Sequence, residues 1–391
     1  MEENKKNGMS RRKFISNVSL ATAGITILPS HVIGGLGHLA PSDKLNIAGI
    51  GVGGVGGTNI NNCNSQNIVA LCDVDWDYAS GIFNKYPDAK KYKDYRKMFD
   101  EIGDDIDAVV IATPDHTHAI TASHAMKMGK HVYLQKPLTH SVYESRHLTR
   151  LAEKTGVATQ MGNQGNSGEG IRQICEWLWD GAIGEVTEAY AWTNRPIWPQ
   201  GLQRPKDVMT PPDKLKWELF VASAPMRPYN EIYTPWNWRG WWDFGTGAFG
   251  DMACHILDPV YQALKLGYPD AISGSSTLLN TESAPQAEKV VFAFPERGKY
   301  KKQKMPEVEL HWYDGGLMPD RPGLVPDEIS LMNAGMGGCL FVGSKDTLIC
   351  DTGGFNPKLI SGRTPDVSPY LRRIEGAIGY VDGPHEQDWI R

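Results

Sequence analysis

LNIAGIGVGGVG, residues 45–56, carries the strongest structural signal in this chain. Its first six residues are mainly apolar and predict a strand, and Gly51, Gly53 and Gly56 then form a GxGxxG pattern that opens a helix. The first glycine permits a tight turn, the second lets the backbone approach a pyrophosphate, and the third lets the helix pack on the strand. We therefore expect this loop, including Gly54 and Val55, to hold a dinucleotide at a helix N-terminus.

An acidic residue after the next strand supports the same interpretation. The apolar run Ile68-Val69-Ala70-Leu71-Cys72 ends on Asp73, which lies 22 positions after Gly51. A carboxylate at about this distance is placed to accept hydrogen bonds from the adenosine ribose hydroxyls. It would also repel a 2′-phosphate. We therefore expect NAD as the cofactor, with NADP disfavoured.

Bulk properties restrict the class of protein. The chain has 391 residues, of which 41% are hydrophobic and 22% charged, and its formal net charge is −5. This length is sufficient for two domains. The charge gives no reason to expect nucleic acid or an anionic membrane as a partner, and we expect no stable membrane span. The six cysteines follow no metal-ligand spacing, so we expect neither a metal site nor a disulfide framework.

The N-terminus predicts an export signal. Ser10-Arg11-Arg12-Lys13-Phe14-Ile15 precedes a weakly apolar stretch from Val18 to Leu28. Twin arginines before a modest hydrophobic segment resemble a twin-arginine signal. We therefore expect residues 1–40 to be signal and linker. The protein would then be exported by the twin-arginine route, and would be periplasmic if the source is Gram-negative.

The order of strands and helices predicts two domains. Residues 41–162 alternate short apolar strands with helical segments, which is typical of a dinucleotide-binding Rossmann domain with a parallel sheet. The strands are expected at Leu45–Ile50, Ile68–Cys72, Ala108–Ala112, His131–Leu134 and Ala158–Met161. Residues 163–391 contain a proline-rich irregular stretch followed by successive strands. For these residues we expect an α+β domain with a large open antiparallel sheet, which binds substrate and forms oligomers.

Residues capable of chemistry follow two of the predicted parallel strands. Thr113-Pro114 and His118 follow the predicted strand Ala108–Ala112, and Gln135-Lys136-Pro137 follows the predicted strand His131–Leu134. Ligands of an open α/β sheet bind at the carboxyl ends of its strands, so these residues should lie beside the cofactor. Farther along, Asp251 and His255 are four positions apart and would share one face of a helix.

In this order and spacing, the glycine loop, Thr113-Pro114 with His118, the Lys136-Pro137 pair and the Asp251/His255 pair resemble the Gfo/Idh/MocA oxidoreductases. These are relatives of glucose–fructose oxidoreductase and inositol dehydrogenase. The resemblance covers nearly all of the chain after the predicted signal. Residues Gln135 to His140, Trp192 to Pro196 and Trp312 to Gly316 are similar to the exported branch of that family. That branch includes enzymes acting on glycosides and 3-keto-glycosides.

The resemblance implies catalytic roles for Lys136, His255 and Asp251. In the family the lysine and the histidine share the acid–base work at a carbinol, and which of them takes the proton differs between members. Asp251 would orient the substrate or the histidine. The resemblance also implies a cofactor site that includes residues Thr113, Pro114, Gln135 and Lys136, with His118 lining the nicotinamide pocket, and it implies a cis Lys136-Pro137 bond.

Two departures from the family pattern affect these expectations. The family usually has Glu where this chain has Gln135, and a neutral amide should hold the charged form of Lys136 less strongly. Family members also continue for several elements beyond the point where this chain stops, inside a predicted helix that begins near His385. One interpretation is therefore that the sequence is truncated at its C-terminus.

Polar and aromatic residues are candidates for sugar recognition. Amide and guanidinium groups offer directional hydrogen bonds to hydroxyls, and indole rings can stack on a pyranose face. The candidates for substrate binding, besides Asp251 and His255, are Asn163, Gln164, Trp192, Asn194, Arg195 and Trp238.

Three functions remain open. The first is an exported NAD-dependent oxidoreductase acting on a sugar or glycoside carbinol, with C3 of a pyranoside as a candidate position, whose tightly bound cofactor is regenerated in place. The second is an NAD-requiring glycoside hydrolase or lyase that oxidises its substrate transiently. The third is a non-catalytic protein that senses a sugar or NAD. We expect a small carbohydrate as substrate and a homo-oligomer, either a dimer or a tetramer.

Overall fold

The computed structural model describes residues 43–320, 325–326, 331, 336–377 and 383–391. The predicted twin-arginine segment lies outside these residues. Leu45–Arg391 form one compact unit. Across the described part of the chain, no helix has both the length and the apolar character needed to cross a bilayer.

The first sheet has six parallel strands among the described residues, in the order β3-β2-β1-β4-β5-β6. The strands are β1 Asn46–Ile50, β2 Asn67–Cys72, β3 Lys90–Tyr92, β4 Ala108–Ile111, β5 His131–Leu134 and β6 Thr159–Met161. The strand order reverses between β1 and β4, which opens a crevice at their carboxyl ends. The predicted Rossmann domain is confirmed. The sequence did not predict β3, because only Tyr92 of its three residues is buried.

Helices cover both faces of this sheet. They are α1 Val55–Asn62, α2 Ser80–Lys85, α3 Tyr95–Ile102, α4 Asp115–Lys127 and α5 Val142–Thr155. Side chains alternate between the faces of a strand, so Ile47 packs in one apolar cluster and Ala48 in the other. A capping box starts α5, where the Ser141 hydroxyl accepts a hydrogen bond from the Glu144 amide and the Glu144 carboxylate accepts one from the Ser141 amide.

The second sheet has seven described strands in the order β15-β14-β13-β7-β12-β9-β8. They are β7 Val186–Thr193, β8 Ala271–Ser276, β9 Glu288–Phe294, β12 Val308–Tyr313, β13 Gly337–Gly343, β14 Thr347–Asp351 and β15 Lys358–Leu359, while β10 Lys299–Tyr300 and β11 Gln303–Lys304 form a separate hairpin. The expected antiparallel sheet is therefore mixed, since β7 and β12 are parallel. A long crossover separates these two strands in the chain, as parallel pairing requires.

Three helices in the described part of the chain pack on this sheet. They are α6 Glu169–Trp179, α8 Gly247–Ile256 and α9 Asp258–Ala263. Buried side chains such as Ile174, Ile256 and Val260 join Leu310 and Trp312 of β12 in one apolar cluster. This packing fixes the position of α8, which carries Asp251 and His255.

Two later segments return to the first sheet. The proline-rich stretch, which contains α7 Trp217–Val221, runs beside the end of β2, where the Lys216 amide donates to the Val74 carbonyl. The C-terminal helix α10 Pro384–Ile390 carries Glu386, whose carboxylate accepts hydrogen bonds from Asn59 and Tyr133. The division predicted after residue 162 therefore separates the two sheets, but not all of the segments that pack on them.

Candidate active site

A cavity of about 380 Å³ lies at the crevice between β1 and β4. We call it the glycine-loop cavity. Its wall includes Gly51, Gly53, Val55, Asp73, Thr113 and Pro114. Six residues that the sequence assigned to the cofactor are thus brought together at the carboxyl ends of three neighbouring strands. Gly54 and Gly56 belong to the same loop but lie outside the cavity wall.

The loop has the close backbone approach that a dinucleotide requires. Gly51 has a φ of +77°, and a Cβ on Gly56 would lie 1.9 Å from the Gly51 carbonyl oxygen. Any side chain at either position would therefore disturb the turn. Helix α1 begins directly after Gly54 without a side-chain cap, which leaves amides of its first turn for an anion. These residues fit a dinucleotide.

Asp73 lies against the same loop. Its carboxylate accepts hydrogen bonds from the Gly53 amide at 2.9 Å and from the Asp75 amide at 2.9 Å. Burial raises the pKa of Asp73 to about 6, although these amides act in the opposite direction. The acid thus lies in the wall of the glycine-loop cavity, as expected for a residue that binds a ribose.

A second cavity, of about 240 Å³, shares wall residues with the first. We call it the lysine cavity. Lys136, Asp251 and His255 all line it, together with Gln135, Gln164 and Arg195. Val55, Thr113 and Trp238 line both cavities. The three predicted catalytic residues therefore meet beside the predicted cofactor site.

The lysine cavity contains a buried ion pair. The Lys136 ammonium donates to Asp251 Oδ1 at 2.7 Å and to the Asp251 carbonyl oxygen at 3.0 Å. Arg239 Nε donates to the same Oδ1 at 3.0 Å. Burial alone would raise the pKa of Asp251, but Lys136 and Arg239 hold it well below its usual value. Asp251 therefore stays ionised, and its direct partners are Lys136 and Arg239.

His255 is neutral in this environment. Burial, with the nearby Lys136 ammonium, lowers the pKa of His255 to about 3. The Asp251 carboxylate opposes this shift but does not outweigh it. The site thus combines an uncharged imidazole with an ion-paired lysine on one cavity wall.

Gln135 does not contact the Lys136 ammonium. Its side-chain oxygen accepts a hydrogen bond from the Lys136 amide at 3.2 Å, and its Nε2 donates to Asn59 at 2.9 Å. Asn59 in turn donates to Glu386 at 2.6 Å. Gln135 therefore connects the end of β5 to α1 and α10, and Asp251 supplies the carboxylate partner of Lys136. The Lys136-Pro137 bond is cis, as predicted.

His118 corrects one expectation from the sequence. It is fully buried, and its two ring nitrogens lie 2.8 Å from the carbonyl oxygens of Pro137 and Thr113. Burial lowers the pKa of His118 to about 4, although both carbonyls favour the charged form. His118 therefore lines neither cavity. It links the two loops that follow β4 and β5.

Three expected sugar contacts lie away from both cavity walls. Asn163 is buried and donates to Asp258 at 2.9 Å. The Trp192 indole is buried in an apolar cluster and donates to the Leu331 carbonyl at 2.7 Å. Asn194 is exposed, and its side-chain oxygen accepts a hydrogen bond from Arg195 at 3.0 Å. Of the expected contacts, the structure brings Gln164, Arg195 and Trp238 to the lysine cavity.

Sequence reasoning missed two residues of this region. Arg239 lines both cavities, and its guanidinium carbon lies 4.0 Å from the Trp236 ring centroid and 4.3 Å from that of Trp238. In the sequence, Arg239 lies between Trp238 and Trp241. A cation within such a run of aromatic residues is the pattern that could have indicated it. Tyr78 packs so closely over the loop that a Cβ on Gly53 would lie 2.2 Å from its ring. No local pattern indicates that contact.

No group of three or more His, Cys, Asp or Glu side chains within the described ranges is arranged to hold a metal ion.

A parallel Rossmann sheet joined to a mixed sheet, with a lysine–aspartate–histidine cluster beside the glycine loop, is the arrangement of a two-domain protein that binds a dinucleotide. The chain belongs to the Gfo/Idh/MocA family. Residues 45–163 match the NAD-binding Rossmann fold of this oxidoreductase family, and residues 174–293 match its C-terminal α/β domain. These matches confirm the predicted family and cofactor.

Individual proteins that match by sequence share only about a quarter of their aligned residues with this chain. The chain is 26% identical over 207 residues to a glycosyl hydrolase family 109 protein of Shewanella pealeana. The aligned residues make up 47% of this chain and 45% of that protein. It is 28% identical over 134 residues to dTDP-3,4-didehydro-2,6-dideoxy-alpha-D-glucose 3-reductase of Actinomadura kijaniata, covering 34% and 40%. The match thus spans less than half the length of either relative.

Solved structures show the same fold. The WlbA dehydrogenase of Bordetella pertussis, in complex with NADH and UDP-GlcNAcA, superposes with a TM-score of 0.53 at 16% identity. The superposition covers 78% of this chain and 77% of that one.

Proposed function

We propose that this protein is an NAD-dependent oxidoreductase that acts on a CH–OH group of a sugar or glycoside. The observation that carries the proposal is the Lys136–Asp251 ion pair with neutral His255 in the wall of a cavity adjoining the glycine loop. An alcohol oxidation needs a group that receives the proton and a charge that stabilises the oxygen. Both are present at one end of the proposed cofactor site.

The size of the lysine cavity and the polar side chains in its wall support a small substrate with hydroxyl groups. Its volume of about 240 Å³ is below the roughly 300–1,000 Å³ typical of sites for drug-sized ligands. Gln164, Arg195 and Thr352 line the wall and can form hydrogen bonds with hydroxyl groups. The relatives above carry names that refer to glycosides or nucleotide sugars, which favours a carbohydrate.

The residues of the lysine cavity can be assigned separate roles in the proposed reaction. The bound nicotinamide would supply the hydride acceptor, which no side chain can provide. The neutral imidazole of His255 has one ring nitrogen without a proton, so it can accept the hydrogen bond of the carbinol hydroxyl and receive its proton as the hydride leaves the carbon. Lys136, held by Asp251, would then stabilise the oxygen as its proton leaves. Arg239 donates to the same Asp251 oxygen and so helps to hold the carboxylate that positions the lysine.

Turnover by the NAD-loaded protein tests this function. Native mass spectrometry establishes the bound dinucleotide, and a panel of glycosides is then added while absorbance at the NADH wavelength is followed. We expect a subset of the panel to reduce the cofactor, and we expect a Lys136→Met, His255→Gln double variant to lose this reaction while still binding NAD. Undiminished turnover in that variant would contradict the assignment.

A second candidate is an NAD-requiring glycoside hydrolase or lyase. The glycosyl hydrolase family 109 relatives favour it, and the same residues could withdraw a carbinol proton transiently. Release of an aglycone without net NADH would support this candidate. Accumulation of a keto-sugar with stoichiometric NADH would support the dehydrogenase instead. If neither reaction occurs although both NAD and sugar bind, the result supports the third function, a non-catalytic protein that senses a sugar or NAD.

We also propose that the protein is exported and assembles as a homo-oligomer. The twin-arginine pattern supports export, and detection of the protein in a periplasmic fraction tests it.

Every residue of the edge strand β8 is exposed, including Ile272 at 62%. An exposed edge strand leaves backbone groups unpaired and so favours association with another copy of the chain. Light scattering on the purified protein would give the mass of a dimer or tetramer, and a monomer mass would contradict the proposal.

A further inference from the structure

The wall of the lysine cavity has an excess of positive charge. Lys136, Arg195 and Arg239 contribute three cations, whereas Asp251 is the one carboxylate among the described residues of the wall. The neutral His255 adds none. Two positive charges are therefore left without a counterion in the wall itself.

The excess is concentrated on Arg195. Lys136 and Arg239 both donate to Asp251, so their charges share one carboxylate. The Arg195 guanidinium donates from Nη1 to the neutral Asn194 side chain at 3.0 Å. In the part of the chain that the structure describes, no carboxylate lies within 4.0 Å of it. Arg195 is thus a cation that faces the cavity without an acid partner.

The backbone of Arg195 is held firmly in place. It follows β7, and its amide donates to the Thr193 hydroxyl at 3.3 Å. Its carbonyl accepts a hydrogen bond from the Gly315 amide at 2.6 Å. The backbone of Arg195 is therefore held between the end of β7 and the turn that follows β12. Lys136 and Arg195 line the same cavity of about 240 Å³, so one ligand can contact both.

We propose that the carbohydrate bound in this cavity carries an anionic group, and that Arg195 binds that group. This inference rests on the proposed function and specifies its substrate class. A guanidinium presents parallel N–H donors that match a carboxylate, as in a uronic acid, and it also accepts a sulfate or phosphate ester. A neutral sugar would leave the charge of Arg195 uncompensated in the wall.

Matched pairs of sugars test the proposal on the full NAD-loaded protein. Glucuronate is compared with glucose and galacturonate with galactose, and binding is measured by calorimetry. Glucose 6-sulfate and glucose 6-phosphate distinguish a carboxylate from the other anions. We expect at least one anionic sugar to bind about tenfold more tightly than its neutral partner, as a charged hydrogen bond allows. Added salt should reduce the difference.

The Arg195→Gln variant should lose about tenfold in affinity for the anionic sugar and markedly less for the neutral one, because the glutamine amide can still donate a hydrogen bond to a hydroxyl. Its affinity for NAD and its melting temperature should stay unchanged, which separates lost recognition from lost folding. Arg146→Gln, an exposed position on α5, is the matched control and should change neither affinity.

The outcomes distinguish this inference from the proposed function. If neutral sugars bind and react as well as the anionic ones, or if Arg195→Gln weakens both equally, the anionic substrate is refuted while the oxidoreductase stands. If no sugar of either kind binds or reacts with the NAD-loaded protein, both proposals are overturned.

Discussion

Replacing Asp251 with asparagine should destabilise the protein strongly while sparing the cofactor site. The aspartate is buried and accepts hydrogen bonds from Lys136 at 2.7 Å and from Arg239 at 3.0 Å. Asparagine has nearly the same shape but no charge. The variant would therefore leave two cations in the protein interior without a counterion. Because Asp251 is absent from the wall of the glycine-loop cavity, NAD binding should persist.

The expected magnitude follows from the geometry. Two unit charges at 4 Å attract by about 4 kcal/mol at an effective dielectric constant of 20, before desolvation is subtracted. Removing one member of a buried pair costs about 3–5 kcal/mol. The three side chains here retain 11–13% exposure, and the asparagine oxygen can still accept a hydrogen bond. We therefore expect Asp251→Asn to lower the free energy of unfolding by about 3 kcal/mol.

Urea denaturation followed by tryptophan fluorescence measures this loss, because the chain has 12 tryptophans. Lys136→Met leaves Asp251 paired with Arg239 and should cost less than Asp251→Asn. The double variant then gives a coupling energy for the pair, expected to exceed about 1 kcal/mol. Asp100→Asn, an exposed carboxylate on α3, is the control and should stay within about 0.5 kcal/mol of wild type. A loss below about 1 kcal/mol in Asp251→Asn would refute the reasoning.

Three further predictions concern the loop, the C-terminal helix and pH. Gly56→Ala places a Cβ 1.9 Å from the Gly51 oxygen, so calorimetry should show a loss of NAD binding, whereas Gly81→Ala, with no atom within 4 Å, should bind normally. Glu386→Ala removes the acceptor of the buried Asn59 side-chain amide and should cost about 1–3 kcal/mol in urea unfolding. His255 stays neutral in the folded protein, so lowering the pH protonates it in the unfolded chain and favours unfolding. Between pH 7 and pH 5, the free energy of unfolding of the wild type should therefore fall by about 2 kcal/mol more than that of His255→Gln.

Local sequence was sufficient for the first domain and for much of the second. The predicted strands of the first sheet are short apolar runs, and the structure places β5 at the predicted residues His131–Leu134. The glycine loop could be predicted because its backbone geometry depends on neighbouring residues alone. Lys136, Asp251 and His255 were identified through a known family pattern, and their meeting in one cavity follows from the positions of β5 and α8.

Contacts between distant segments were decided by the tertiary structure alone. Lys136 and Asp251 are 115 residues apart, and the Asn59–Glu386 hydrogen bond spans 327 residues. Nothing in the sequence near Arg239 indicates that it shares the carboxylate of Asp251, and nothing near Trp192 or His118 shows that packing turns them away from the cavities. The sequence by itself determined which elements form, because helix and strand formation depend on local pattern. The partners of each buried polar group depend on how those elements pack, which no local pattern contains.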